Sequence, residues 1–569
     1  MSIGRTHVRL VCTVVGGLPG GEDRPQNRAD YLDGLVRAGL DVARVNLSHV
    51  RSARDFSRGE APQYKGTEAL LTRIREADAR GDPDHHVAIL LDLQGIKLRL
   101  HLPGGRRGDG RDVAPGEELR LVFGRPAEEG EIACDGSDRV LRAVHRALEE
   151  RGSLTVAVGD GSPILTAFDK DDEGLLLRAN DVGTIGQGKG VTFRGVELPD
   201  EPALTEKDRI DLAAFVVPAL LEQRADFVAL SFTRSADDVR RLRSFAHDCV
   251  RFFREGALPV ASDDADLLRR LADLRPDLTE RYKRGTLRLQ IVAKIETLSG
   301  VENIESIIPD VEAVMVARGD LGLACSPQDV PRIQKDILRA ARLQGRPVIV
   351  ATQMLGSMEV HPEPTRPEAA DVFNAVLDGA DALMLSGETA TGNRPHEAAR
   401  TLLVIADAAE SWERERLAGR RVGALNMLYR EILSRRAEDH ERNPLLQTTD
   451  DVTYSAVRLA ESLGARALVA WTRSGTTARH LARFAPEPLL LAVVPSPAVA
   501  RRLALTGGAR ALVVPSESDR PGTRSSITRG IRQAVELGLL KSGDLVVMAS
   551  AGADDPPGVT LRVEALTVR

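Results

Sequence analysis

Gln290-Ile-Val-Ala-Lys-Ile-Glu296 is a short apolar run that ends in charge. A run this brief suits a strand buried on both faces, and Lys294 and Glu296, two residues apart, leave its carboxyl end on the same side. Outward from this stretch the pattern repeats. Runs rich in Val, Ile and Leu lie at 8–13, 42–46, 87–91, 227–231, 289–294, 313–317, 348–352 and 382–386. Each closes in polar or charged residues: Thr13; Arg44, Asn46 and Ser48; Asp92; Ser231; Lys294 and Glu296; Arg318 and Asp320; Thr352; Ser386 and Glu388. Helical patterns separate most of them, such as 335–343 and 368–377, the latter stopped by Asp378-Gly379. Eight βα units predict a (β/α)8 barrel, in which the carboxyl ends of the strands build the active site. Polar residues that merely end buried strands would explain any one of these ends, but not all eight.

Two further units flank this pattern. Residues 98–198, dense in Gly and Pro with short alternating segments at 118–123 and 154–158, read as a small all-β domain, a β-barrel inserted between barrel parts 1–97 and 199–411. Beyond a last barrel helix at 397–410, the charged stretch 412–451 reads as a linker. Runs at 467–471, 489–494, 511–514, 545–548 and 560–565 then predict an open α/β domain over 452–569. Residues 248–288 fit no regular unit and read as an insertion into an α/β chain.

Composition bounds the function. A chain of 569 residues exceeds one hydrophobic core, and 42% hydrophobic with 28% charged residues is ordinary for a globular enzyme. The N-terminus lacks a long apolar segment and no run approaches the ~18 residues of a membrane span, so the expectation is a cytoplasmic protein with no membrane partner. Cys12, Cys134, Cys249 and Cys325 show neither C-x-x-C spacing nor disulfide density and read as reduced thiols. A net charge of −6 and only five Tyr and two Trp argue against a nucleic-acid partner. Just nine of the 77 Lys+Arg are Lys, so Lys97, Lys189, Lys207 and Lys294 stand out as places that call for a compact ammonium.

Lys294 and Glu296 supply a cation and a carboxylate at one strand end. Val314-Met-Val-Ala-Arg-Gly-Asp-Leu-Gly322 brings Asp320 to the next, with Gly319 allowing close backbone approach. Two carboxylates with room for water and substrate oxygens suit Mg²⁺ or Mn²⁺ rather than zinc; the same residues would also serve as a salt-bridge cluster at a barrel rim.

The chain resembles pyruvate kinase over nearly its whole length. The resemblance rests on Val42-Ala-Arg-Val-Asn-Leu-Ser-His49, Leu91-Asp-Leu-Gln-Gly-Ile-Lys-Leu-Arg99, Lys189-Gly-Val191, Leu204-Thr-Glu-Lys-Asp208, Ile291 to Glu296, Val316-Ala-Arg-Gly-Asp-Leu-Gly322, Ala351-Thr-Gln-Met-Leu355, Pro364-Thr-Arg366 and Leu385-Ser-Gly-Glu-Thr-Ala390, in the family's order. It implies transfer of a phosphoryl group from phosphoenolpyruvate to ADP, giving pyruvate and ATP, the last step of glycolysis. It also implies roles. Lys294 would stabilise the phosphoryl group in flight, with Glu296 and Asp320 holding Mg²⁺ or Mn²⁺. Arg44 would grip the phosphate, Thr352 would sit at the enolate face orienting a proton-delivering water, and the backbone around Ala317, Arg318, Gly319 and Asp320 would hold the substrate carboxylate. Asn46, Ser48, His49 and Lys189 would lie toward the nucleotide, ADP or ATP. Arg99 and Lys189 would come from the edge and the inserted domain, which in the family closes as a lid and excludes water. The family is usually a homotetramer.

Three departures from the family pattern matter. Val15-Gly-Gly-Leu-Pro19 replaces a Gly-Pro-Ala-Ser near the nucleotide. Leu93 and Lys97 stand where K⁺-requiring relatives carry Thr and Glu; the Lys97 ammonium would supply the charge K⁺ brings, predicting activity without K⁺. The insertion 248–288 has no assigned counterpart. In the last domain, Trp471-Thr-Arg-Ser-Gly-Thr-Thr-Ala478 opens a helix after a strand and resembles the family's activator loop. Thr472, Arg473, Ser474, Gly475, Thr476 and Thr477 are the expected site for a sugar-phosphate or nucleotide effector, an ordinary helix cap being the alternative. A lyase or aldolase acting on the pyruvate enolate would explain Glu296 and Asp320 but not the lid, Lys189 or the activator-like loop. A non-catalytic sugar-phosphate sensor would explain the altered segment and the insertion but not the full set Arg44, Lys294, Glu296, Asp320 and Thr352.

Overall fold

The computed structural model describes residues 7–16, 24–50, 52–106, 109–159, 161–196, 203–259, 261–417, 421–436, 444–515, 524–550 and 560–569, with the side chains of His49, Arg421, Val422, Arg435, Arg436, Pro444, Leu445, Leu446 and Arg524 outside that description. Gly17, Leu18 and Pro19 of the altered nucleotide segment also lie outside it.

The eight apolar runs are eight parallel strands of a closed barrel: β1 (Arg9–Thr13), β2 (Leu40–Asn46), β3 (Ala88–Asp92), β4 (Phe227–Leu230), β5 (Ile291–Ile295), β6 (Ala313–Ala317), β7 (Val348–Ala351) and β8 (Ala382–Leu385). Each pairs with its sequence neighbour and β1 closes on β8, with Cys12 opposite Leu385. Alternate residues point inward, so Val11, Val42, Leu90, Val292, Met315 and Ile349 fill the interior, while the other face packs under the helices. The interior cluster also contains Ala504 and Leu505 from the C-terminal domain, Leu505 being fully buried. These two residues stopper the amino-terminal mouth of the barrel. Hydrogen bonds seal the seam around them: Arg9 donates through Nε to Thr506 O at 3.1 Å, Gly508 N donates to His7 O at 2.7 Å, and Gly507 N donates to Asp381 Oδ1 at 3.1 Å. Asp381 also accepts from Val348 N at 3.0 Å, and burial pushes its carboxyl up to about 6.

The inserted domain differs from an all-β unit. It holds a seven-stranded mixed sheet and a two-stranded one, but also a 14-residue helix, Asp138–Arg151, whose Val140, Leu141, Val144 and Leu148 fill the domain's own core. Gly152 ends that helix at φ +74°, a left-handed cap. Two chain segments join the domain to the barrel side by side: Val191 N donates to Leu98 O at 3.0 Å and Leu100 N to Lys189 O at 2.8 Å.

The segment 248–288, expected to be an insertion, is built into the barrel wall. Helix Ala236–Glu255 continues into its start, and Ser262–Leu274 and Asp277–Tyr282 follow. Leu268, Leu271, Leu278 and Tyr282 are buried; Tyr282 Oη donates to Ala213 O at 2.8 Å, and Arg281 grips Glu222 at 2.9 and 3.0 Å. Within 412–451, read from the sequence as a linker, the described residues are helical: Pro395–Leu417 runs past residue 410, and Arg421–Arg436 and Pro444–Ser462 follow. Arg414, Glu415, Arg416 and Arg430 face solvent, Asp450 is buried against His480 and Arg483, and Leu425 and Ile432 enter the core of the last domain. That domain is a five-stranded sheet in the order Ala509–Val513, Leu489–Val494, Ala467–Trp471, Leu545–Ser550, Arg562–Thr567, the last strand antiparallel. Among the described residues no helix is long and apolar enough to cross a membrane.

Candidate active site

The strand ends meet at the carboxyl mouth of the barrel, and Asp92 at the end of β3 lies at their centre. Its carboxylate is 1% exposed; it accepts from Arg44 Nε at 2.7 Å and lies 2.6 Å from Arg44 Nη2 and 3.4 Å from Lys294 Nζ. Burial alone would raise its pKa, but Lys294 and Arg44 overcome that and hold the carboxyl below the usual range. Lys294 Nζ in turn donates to Ser231 Oγ at 2.8 Å and lies 3.0 Å from Glu296 Oε1. Burial works against its charge, yet Asp92 and Glu296 outweigh it and the ammonium is held above its ordinary pKa. The lysine is thus fixed as a cation.

Glu296 accepts from Phe232 N at 2.7 Å, and Phe232 reaches that position with φ +53°. Burial pushes the Glu296 carboxyl up, Lys294 draws it down, and the neighbouring Asp320 charge pushes it up again, leaving it raised. Asp320, on the first turn of helix Arg318–Ala324, accepts from Lys97 Nζ at 2.8 Å. Two carboxylates close enough to repel each other are relieved by a cation between or beside them, and an all-oxygen pair fits a hard divalent ion. Among the described residues no group of three or more His, Cys, Asp or Glu could hold a metal, so this pair would need substrate and water oxygens to complete a shell. A pocket of about 90 Å³ opens beside it between barrel and inserted domain, lined by Phe232, Glu296 and Asp320 on one side and by Lys97, Val191 and Phe193 on the other.

Thr352 follows β7 in the left-handed region at φ +70°, and Gln353 after it at φ +54°. The Thr352 hydroxyl accepts from Gly319 N at 2.8 Å and donates to Ala351 O at 2.6 Å. Its proton is therefore committed to the backbone, which suits a residue that holds a water rather than one that gives up a proton.

The structure brings Arg44, Lys294, Glu296, Asp320, Lys97 and Thr352 to one mouth, and redirects other expected residues. The Arg318 guanidinium turns away from it, donating to Thr352 O at 2.7 Å, Gln353 O at 3.1 Å and Asp371 Oδ1 at 2.8 Å; only its backbone, with that of Ala317 and Gly319, remains for substrate. Arg99 donates to Gly188 O at 2.8 Å and Lys189 is exposed beside it, so both belong to the inserted domain's turn rather than to the barrel rim. Asn46 Oδ1 caps the next turn by accepting from Ser48 N at 2.9 Å. The His49 side chain lies outside the described residues. In the activator-like loop, Thr472 accepts from Gly475 N at 2.9 Å and Thr477 meets Thr560 at 2.9 Å, both hydroxyls buried and used internally; Arg473 is exposed, and the half-buried Ser474 and Thr476 hydroxyls bond each other at 3.0 Å, with Arg479 donating to Thr476 at 3.3 Å. Gly475, at φ +89°, lies where a Cβ would come within 2.9 Å of Leu503. Asp92 and Ser231 carry more of the site than the sequence assigns to them. Their position at strand ends is the signal, and their partners are visible only in three dimensions.

A closed barrel whose mouth presents a buried ammonium, an arginine and a carboxylate pair beneath an inserted domain defines a barrel enzyme built for a charged, oxygen-rich substrate. The comparisons with known proteins narrow this. The family described as pyruvate kinase, barrel domain, matches residues 6–251 and 265–399, and that described as pyruvate kinase, alpha/beta domain, matches 450–560. A pyruvate kinase of Mycobacterium tuberculosis is 35% identical over 535 residues, 93% of each chain, and one of Bacillus licheniformis is 31% identical over 97% of this chain and 79% of its own. A crystal structure of a pyruvate kinase from Cryptosporidium parvum superposes with a TM-score of 0.74 at 26% identity, covering 100% of this chain and 97% of that one. The chain belongs to the pyruvate kinase family. Its reaction is the transfer of the phosphoryl group of phosphoenolpyruvate to ADP, giving pyruvate and ATP.

Proposed function

We propose that the reaction runs at the mouth around Lys294. The observation that carries this reading is the fixed ammonium itself, buried between Asp92 and Glu296 and joined to Arg44 through Asp92. A β-phosphate oxygen of ADP forms a bond to phosphorus as the bond from phosphorus to the enol oxygen breaks, and the electron pair stays on that oxygen as the pyruvate enolate. A proton added at C3 then gives pyruvate. Arg44 grips the phosphoryl oxygens, and Lys294 faces the charge that spreads over them in flight. Glu296 and Asp320 would hold Mg²⁺ or Mn²⁺, which supplies Lewis-acid neutralisation of phosphoryl and enolate oxygens when bound. Thr352 holds the water that delivers the proton, and backbone groups at 317–320 hold the carboxylate.

The inserted domain acts as a lid that carries Lys189 toward the nucleotide, with Asn46, Ser48 and His49, and brings Arg99 to the catalytic mouth, and it excludes the water that would hydrolyse phosphoenolpyruvate. The Lys97 ammonium takes over the charge that K⁺ brings in relatives, a reading supported by its contact with Asp320 at 2.8 Å. The surface of the loop at 472–477 takes a phosphorylated effector, and the assembly is a cytoplasmic homotetramer. One coupled assay tests the core of this: pyruvate formed from phosphoenolpyruvate with Mg²⁺, with and without ADP and with and without K⁺. ADP-dependent pyruvate in Na⁺ or Tris buffer is expected. Pyruvate formed without ADP would indicate a lyase, and a strict K⁺ requirement would remove Lys97 from its role.

A further inference from the structure

Among the described residues, Gln223, Phe232, Thr352, Gln353 and Ala485 are the non-glycine residues at positive φ, and Thr352 and Gln353 are the consecutive pair. A β-branched residue resists this conformation most, because its Cβ substituents crowd the backbone, and the conformation persists only where surroundings impose it. The surroundings here are identifiable. Two left-handed residues in a row turn the carbonyls of Thr352 and Gln353 to one side, and the Arg318 guanidinium receives both: Nε donates to Thr352 O at 3.2 Å, and Nη2 to Thr352 O at 2.7 Å and Gln353 O at 3.1 Å. Arg318 is itself held by Asp371, with Nη1 to Oδ1 and Nη2 to Oδ2 each at 2.8 Å. Asp371 stands on helix Arg366–Leu377, outside the barrel mouth, with its side chain 37% exposed.

We propose that Arg318 and Asp371 are positioning residues for the protonation step: the pair clamps the left-handed turn that presents the Thr352 hydroxyl to the reacting carbon. This rests on the reading of Thr352 as the holder of the proton-delivering water. A planar guanidinium is required, since a lysine ammonium cannot span two carbonyls and a carboxylate in one plane. Asp371 lies outside the mouth; without its charge the guanidinium keeps only neutral partners, the two carbonyls, Met354 Sδ at 2.9 Å and Gln334 Oε1 at 3.5 Å, so its hold on the turn weakens and the turn relaxes toward ordinary φ values. The hydroxyl moves with it. Phosphoryl transfer, organised by Arg44 and Lys294 on other strands, is left in place.

The two half-reactions separate these effects. Exchange of the C3 hydrogens of pyruvate with D₂O, followed by NMR in the presence of Mg²⁺ and ATP, reads the proton step; a single-turnover burst of ATP from phosphoenolpyruvate and ADP reads phosphoryl transfer. Asp371→Asn, which keeps the side-chain shape at a partly exposed position, is expected to slow exchange by tenfold or more with burst rate and KM for phosphoenolpyruvate within twofold. Arg318→Lys should slow exchange at least as much, and Asp371→Glu should recover part of the exchange. Thr352→Ala is the control for the underlying reading. If Thr352→Ala loses exchange while Asp371→Asn exchanges normally, or loses exchange and burst in equal measure, the clamp is wrong and the reading of Thr352 stands. If Thr352→Ala exchanges normally, the reading of Thr352 falls and the clamp falls with it.

Discussion

Replacing Asp92 by Asn removes one negative charge from the centre of the site and little else, since the shape and most hydrogen-bonding capacity remain. Asp92 lies 3.4 Å from Lys294 and 2.6 Å from Arg44. At an effective dielectric of about 20, a unit pair at 3.4 Å attracts by about 5 kcal/mol. The amide dipole replaces part of this. A net loss of about half, ~2.5 kcal/mol, expressed in the transition state corresponds to nearly 10²-fold in kcat/KM. The pH dependence gives a second reading with a definite sign. Burial lowers the Lys294 pKa while Asp92 and Glu296 raise it, so deleting Asp92 lets burial gain. The ammonium is then lost at lower pH, and the alkaline limb of the profile moves toward neutrality. Steady-state pyruvate formation from pH 6 to 10, with saturating ADP and Mg²⁺, measures both. A variant that loses less than threefold in kcat/KM and keeps the wild-type alkaline limb would refute the view that Asp92 fixes the two cations.

Lys294→Met should reduce phosphoryl transfer by at least ~10³-fold while Mn²⁺ binding, followed by electron paramagnetic resonance in the presence of phosphoenolpyruvate, persists; near-normal turnover would refute the role of Lys294. Asp381 makes the seam between barrel and C-terminal domain pH-sensitive. Its folded carboxyl stands at about 6 against an ordinary 3.8, so its contribution is fully present below about pH 4 and is lost as pH rises through about 6, a difference of ~3 kcal/mol. The amides of Gly507 and Val348 should accordingly show greater hydrogen-exchange protection at pH 5 than at pH 7.5 after correction for intrinsic rates, and Asp381→Asn should remove the difference. Gly475→Val meets Leu503 and a left-handed backbone at once, so it should abolish any shift in the phosphoenolpyruvate saturation curve caused by sugar phosphates, with turnover at saturating substrate retained.

The barrel was legible because each strand carries its own evidence: an apolar run buried on both faces, then a polar end. Lys294, Glu296 and Asp320 could be read for the same reason. Asp92 was harder, since an aspartate at a strand end acquires its meaning from Arg44 and Lys294 on two other strands. The left-handed turn at Thr352 runs against the preference of its own residue type, so no local pattern announces it. Arg318 illustrates the same limit, because a motif places its Cα but not its guanidinium. The lid helix is different. Val140, Leu141, Val144 and Leu148 carry a helical period ended by Gly152, and the surrounding density of Gly and Pro obscures it. In 412–451 the charges obscure Leu425 and Ile432, the two buried anchors of helix Arg421–Arg436.

The stopper formed by Ala504 and Leu505 sets an order on biosynthesis. When a ribosome has released the chain as far as residue 417, all eight barrel strands are out, but the side chains that fill the lower mouth have yet to be made. Until some ninety further residues emerge, the nascent barrel carries an open apolar well where Met384, Ala382 and Val11 await their cover. The first domain to be synthesised is thus among the last to be finished, and a chain interrupted between the two domains leaves its barrel without this cover.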